Sequence, residues 1–355
     1  MSGVALYPFD AALLPVVRHF ETMQKKDTLR SVMSVTGYGG IGKDAAYACN
    51  QPDIGIKVVQ DTEGEIENWE ILYLALRHLP HTYDVKTLLR RVLKQGKQVI
   101  GIGSKSEMQY GWVKELKREI PELQMQTTDR FLPEVKATQE YQPIQTPVVF
   151  AGGIAGREDV LEVILTLAEE LRSSGKTVAC ITNEPICTLL GCYDFSALYR
   201  EYTELPIVIT QINQTVQAIE KELLPDVILM EAPDALIRYH SLTPNGFGIY
   251  SYMLAQAVRP DYMVCCMPAD MAYDELIQYF SRDFSNRYGI GIDAVHISNM
   301  FIDGSEVAHM KKMTVFYGDM QLVKPPLQML EETSKLFAFN VVLQQGQGIA
   351  HRLFA

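Results

Sequence analysis

Two glycine-rich stretches have the residue types and spacing to hold a phosphate. In the first, Gly37, Gly39 and Gly42 spell G-x-G-x-x-G, while Gly37 to Asp44 spell G-x-x-x-x-G-K-D, a P-loop that lacks only its last hydroxyl residue. The chemistry on offer is anion binding by backbone N–H groups with Lys43 beside them. The dinucleotide reading meets an obstacle. The turn-like Asn50-Gln51-Pro52-Asp53 follows so soon after Gly42 that a short helix fits but a full crossover does not. The spacing at which a ribose-binding acid would stand falls near Asp61. A structural or partner-binding loop ranks first, an anion site at Lys43 second and a dinucleotide site third.

The second stretch is Ala151-Gly152-Gly153-Ile154-Ala155-Gly156-Arg157-Glu158, where a strand runs into a helix. Gly152, Gly153 and Gly156 would bring backbone N–H groups to a phosphate, with Arg157 in place of the usual Lys and Glu158 in place of the magnesium-binding hydroxyl. A carboxylate at that point repels phosphate unless a metal intervenes. Glu231 ends the apolar run VILME, and a carboxylate is the residue type that serves as metal ligand or base. Arg157 and Glu231 are the candidate catalytic pair. The Gly175-Lys176-Thr177 triplet is no phosphate loop, because Glu170 occupies the position where its first glycine would be.

The remaining chemistry-bearing residues are scattered. Six cysteines (Cys49, Cys180, Cys187, Cys192, Cys265 and Cys266) include no C-x-x-C, so no zinc or redox spacing is present. They read as reduced thiols, mostly small core residues. Alternation places Cys265 and Cys266 on opposite faces of their strand. His78 and His81 flank a proline in a loop with ligand types for a metal, but read first as solvated polar side chains, and His296 reads as a core histidine. No metal site is assigned.

The elements that must position these residues alternate strand and helix from end to end, the pattern of parallel sheets with helical crossovers. VALYPF, LRSVMSVT, IGIKVV, ILYLAL and QVIGIG read as strands of a first sheet that runs on towards LQMQTT, with helices over 13–25, 85–94 and 105–118. After a proline-bearing polar stretch over 129–147, TPVVFAGG, TVACITNEP, PDVILMEAP, PDYMVCCMPAD and DAVHISNMFID read as strands of a second. Its helices fall at 159–172, 215–223, 248–258 and 273–284. The fold class is therefore α/β, with two open, mostly parallel sheets: a Rossmann-like domain over 1–145 and a degenerate P-loop-NTPase-like domain over 146–355.

Composition narrows the function classes. The chain has 355 residues, 47% hydrophobic and 21% charged, with a formal net charge of −11. No basic run exceeds a pair, which argues against nucleic acid and anionic membranes as partners. No apolar stretch approaches a bilayer span, and the first residues lack a secretory signal pattern, so a cytoplasmic location is expected.

Two resemblances add to this reading. From Thr146 to Asp303 the order of elements resembles the P-loop branch that contains dethiobiotin synthetase, the cobyrinate amidating enzymes and the partition ATPases. That likeness implies a Walker B role for Glu231 and base recognition by Asn299, at the end of HISN. It also implies a homodimer and, where the site works, ATP with magnesium. The whole chain, on ALYPFDAALLPVVRHF and SVTGYGGIGKDAAY, resembles a clostridial family encoded beside radical SAM maturases in cassettes for ribosomally made peptides. It implies an accessory role in peptide maturation, with the precursor peptide and the maturase as partners. The alternatives are an NTP-dependent ligase or amidating enzyme that activates a carboxylate, and a dinucleotide-binding oxidoreductase at Gly37 to Gly42.

Overall fold

A computed structural model describes the chain apart from residues 1, 25, 61–67, 80–84, 136–140, 157–158, 202–203, 239–240, 242–247, 312, 335, 345–347 and 355. It divides into two compact units, Met1–Leu132 with Glu184–Ala197, and Pro133–Asn183 with Leu198–Ala355.

The first unit runs β1 (Ser2–Tyr7), α1 (Leu14–Met23), β2 (Asp27–Ser34), β3 (Val58–Gln60), β4 (Ile71–Ala75), α2 (Lys86–Lys94), β5 (Gln98–Gly103), α3 (Lys105–Met108), α4 (Gly111–Glu119) and β6 (Gln124–Thr127). Its strands are parallel, in the order β3-β2-β1-β4-β5-β6. This is the Rossmann order, whose direction of winding reverses between the first and fourth strands. β1 and β4 are central, so Val4, Ala5 and Leu6 and then Leu72, Tyr73 and Leu74 are buried in unbroken runs rather than alternately. The helix expected over 105–118 is two helices. Ser104 and Glu107 form a reciprocal capping box at the start of α3. Gln109 and Tyr110 then close tight turns onto Ser106 and Glu107, and an extended Tyr110 restarts the chain as α4.

The second unit opens with β7 (Val148–Gly153), α5 (Val160–Ser173) and β8 (Val178–Thr182). The chain then supplies Glu184–Ala197, with the short β9 (Tyr193–Asp194), to the first unit. The second unit resumes with α6 (Leu198–Glu201), α7 (Leu205–Leu223), β10 (Val227–Glu231), α8 (Ile249–Val258), β11 (Tyr262–Pro268), α9 (Asp274–Tyr288) and β12 (Ala294–Ser298). It ends with β13 (Met300–Ile302), α10 (Gly304–Met310), β14 (Val315–Tyr317), α11 (Lys324–Thr333), β15 (Phe337–Phe339) and α12 (Ile349–Phe354). The parallel order is β15-β12-β11-β7-β10-β8. The glycine-turn strand β7 thus lies between β11 and β10, with Ala151 in register with Glu231 and Gly153 with Cys266. DAVHISNMFID is two strands, broken at Asn299, with β13 turning away to pair antiparallel with β14.

Candidate functional site

The glycine turn after β7 is covered by its own chain. Gly153 O accepts the Leu236 N–H at 3.0 Å, Ile154 O accepts the Ile237 N–H at 3.3 Å, and the Ile154 N–H is itself given to Cys266 O at 3.1 Å. A Cβ on Gly152 would stand 2.9 Å from both Ala232 Cβ and Leu236 Cδ2. Gly156, at φ +103°, would bring one within 3.0 Å of the Ala235 backbone nitrogen. The close approach that these glycines permit is to residues 232–237. That cover is pinned at two points: Asp234 accepts the Tyr250 and Ser251 N–H groups at the start of α8, and the Tyr288 hydroxyl donates to Leu236 O at 2.9 Å. Leu236 is fully buried.

A carboxylate, that of Asp159, stands beside the turn at the residue before α5. Asp159 is the N-cap residue in the left-handed conformation, φ 51°, yet its side chain does not cap the helix. It turns instead to β12, accepting the Ser298 hydroxyl at 2.7 Å and lying 3.4 Å from His296 Nε2. His296 is buried against Phe339, as a core histidine would be.

Glu231 ends β10, and its Oε2 accepts the Asn183 N–H at 2.7 Å. Asn299 is buried, and its side-chain amide donates to Gly318 O at 2.9 Å while Gly318 returns its N–H to Asn299 O at 2.8 Å. It locks the β13–β14 hairpin in place. Arg157 lies outside the described residues, as do Glu158, His81 and Asp61.

Asp44, just after the N-terminal glycine loop, bonds the chain that follows it. Asp44 accepts N–H groups from Ala46 at 2.9 Å, Ile54 at 3.1 Å and Gly55 at 2.8 Å. Gly37 and Gly42 take φ +93° and +79°, the left-handed region where glycine is favoured. Gly39 has open space around it, and the Lys43 ammonium sits 5.4 Å over the Tyr47 ring. A five-residue 3-10 turn over Ala45–Cys49 follows, the short element that Asn50 to Asp53 allow, so no helix dipole of useful length points at the loop. All six cysteines are buried and outside any disulfide, and β8 is separated from β11 by β10 and β7, which keeps Cys180 away from Cys265 and Cys266.

A constellation that sequence reasoning missed lies at the carboxyl edge of the first sheet, where the chain leaves β1 and β4. This is the switch point, the place where open α/β sheets bind ligands. His78, just beyond β4, has Nδ1 2.7 Å from Asp10 Oδ2, just beyond β1, and Nε2 3.0 Å from Glu184 Oε2. Arg77 Nε donates to Glu107 Oε1 at 2.6 Å and its guanidinium also faces Glu184, at 3.9 Å. Asp194 is buried on the Thr128 hydroxyl and on Ser196. Burial alone would depress the His78 pKa, but its hydrogen bonds to Asp10 and Glu184 and the charges of both carry it up to about 10. Burial likewise acts to raise Glu184, and the His78 bond with the charges of His78 and Arg77 reverses this to a net lowering. For Asp194 burial wins over the Arg77 charge and the Thr128 and Ser196 bonds, and its pKa rises to about 6. His78 is therefore an imidazolium near neutral pH, a charge carrier rather than a base. The signal in the sequence was a lone Arg-His pair after a strand. Its meaning depends on Glu184, which is more than a hundred residues away.

These features define an α/β protein of two units, with a Rossmann strand order in the first and, in the second, a parallel sheet whose Gly152 and Gly156 pack against residues 232–236. The chain is similar in fold to a DUF1611 family protein from Anabaena variabilis, with a TM-score of 0.63 and 12% identity over 100% of this chain and 99% of that one. Chloroplast FtsY from Physcomitrella patens matches with a TM-score of 0.34 and 14% identity, over 79% of this chain and 84% of that one. No protein-family model matches the chain, and no curated protein matches it. No helix among the described residues is long and apolar enough to cross a membrane.

Proposed function

We propose that this chain is a cytoplasmic accessory protein in the maturation of a ribosomally synthesised peptide, binding the precursor peptide, the radical SAM maturase or both, without turning over a nucleotide. The observation that supports this reading is the filled glycine turn. The carbonyls of Gly153 and Ile154 and the N–H of Ile154 are spent on the chain's own backbone. The carboxylate of Asp159, next to the turn, is held by the Ser298 hydroxyl of β12. A glycine turn packed against its own chain serves as a scaffold, and the family likeness of the N-terminal stretch supplies the setting. Calorimetric titration of the purified chain with the precursor peptide and with the maturase, each without nucleotide, tests it. Saturable binding of at least one is expected, and binding of neither would overturn the reading.

A further inference from the structure

The second sheet ends at β15, which pairs with β12 on one side and is the outermost strand on the other. Beside it lies an open cleft of about 450 Å³, lined by Glu331, Ser334, Leu336, Phe337, Ala338 and Arg352. The aromatic wall of this cleft and its cation are both held in place. The Phe337 ring stacks on the fully buried Phe339, with centroids 5.2 Å apart and planes at 19°. The start of α12 is pinned by Glu170 of α5, which accepts the Ile349 N–H at 3.3 Å and the Ala350 N–H at 2.6 Å. That helix carries the Arg352 guanidinium to 4.2 Å over the Phe337 ring. A guanidinium stacked on a ring keeps its N–H fork for a carboxylate, and among the described residues Arg352 has no ion-pair partner. Glu331 lines the same cleft. Its charge disfavours a compact anion such as phosphate and suits a ligand that brings N–H donors together with its acid. An outer strand supplies the matching surface, because its edge offers backbone N–H and C=O groups to any extended chain that reaches it.

We propose that the outer edge of β15, with the cleft beside it, is a docking site for a short, extended, acidic peptide segment that adds to the sheet as a strand and places one carboxylate on Arg352. That this segment belongs to the precursor peptide rests on the accessory-protein reading; the site itself rests on the strand edge, the cleft and the stacked guanidinium. Main-chain pairing along β15 supplies affinity for any extended chain, and the bond to Arg352 selects an acidic one. The alternate side chains of the added strand reach the cleft and meet the Phe337 ring.

The test uses the full chain and a short acetylated, amidated peptide of alternating valine and glutamate. Two controls accompany it: the valine–glutamine peptide, which lacks the charge, and the fully N-methylated valine–glutamate peptide, which keeps the charge and lacks the backbone donors. Hydrogen exchange of the β15 amides, read by mass spectrometry, should slow saturably with the first peptide and stay unchanged with the N-methylated one. Fluorescence anisotropy should show affinity about tenfold lower for the valine–glutamine peptide, and a similar loss for the valine–glutamate peptide in Arg352→Gln. Circular dichroism confirms that the variant is folded, and the comparison of the three peptides on the unaltered chain decides by itself if it is not. Equal affinity for the charged and uncharged peptides would overturn the role of Arg352. Equal binding of the N-methylated peptide would overturn strand addition, and unchanged exchange at β15 with the first peptide at millimolar concentration would overturn the site. Precursor and maturase are absent from this experiment, so failure here leaves the accessory reading standing, and failure to bind precursor or maturase leaves the strand-edge site standing.

Discussion

The Asp10 carboxylate and the His78 imidazolium meet at 2.7 Å across the point where the first sheet reverses its winding, one from the end of β1 and the other from the end of β4. Glu184 closes the other side of the ring at 3.0 Å. His78 has a folded-state pKa raised from 6.5 to about 10. Its contribution to stability is therefore fully present below pH 6.5 and is lost as pH rises through about 10. Denaturant unfolding between pH 7 and pH 9.5 should show the protein losing about 1.4 kcal/mol per pH unit more than His78→Gln. Parallel pH dependence in the two proteins would contradict the ion triad.

Asp194 behaves in the same sense at lower pH. Its pKa is raised from 3.8 to about 6 by burial, so the stability it contributes is present below 3.8 and is lost as pH climbs through about 6. Asp194→Asn keeps a carbonyl acceptor for the Ser196 N–H and cannot ionise. Thermal melts should show the protein's midpoint declining relative to that variant between pH 4 and pH 7.

The filled glycine turn makes a steric prediction. Ala at Gly152 would overlap Ala232 and Leu236, and Ala at Gly156 would combine a left-handed φ with a contact at the Ala235 backbone. Each substitution should destabilise by about 1–3 kcal/mol in denaturant unfolding. A turn open to solvent would tolerate Gly152→Ala with no change.

Mg-ATP should give no saturable heat in calorimetric titration of the full chain, because residues 232–236 pack against Gly152 and Gly156. Micromolar binding that disappears in Arg157→Ala would restore the NTP-dependent reading.

Much of the architecture was legible in the sequence because it depends on local pattern. Central strands such as VVFAGG and the Val160, Ile164, Leu167 and Leu171 stripe of α5 declare themselves by period, and the run of elements gives two parallel sheets. Two details escaped. β12 ends at Ser298 since Asn299 bonds to Gly318, far along the chain. α7 starts at Leu205, ten residues before the helical stretch read around Thr215, because Pro206 in its first turn looks like a breaker. Of the candidate site, the glycines were visible but what lies over them was not, since residues 232–237 reach them only through the fold. The Arg77-His78 pair was equally silent, because a histidine in a loop acquires its meaning from Asp10 and Glu184.

The most direct test of the account is reconstitution of the maturation reaction from purified precursor peptide and maturase, with and without this chain and with no nucleotide added. Modified peptide that forms only when the chain is present, at a yield unaltered by added Mg-ATP, is the predicted result. Equal yield without the chain would contradict the account.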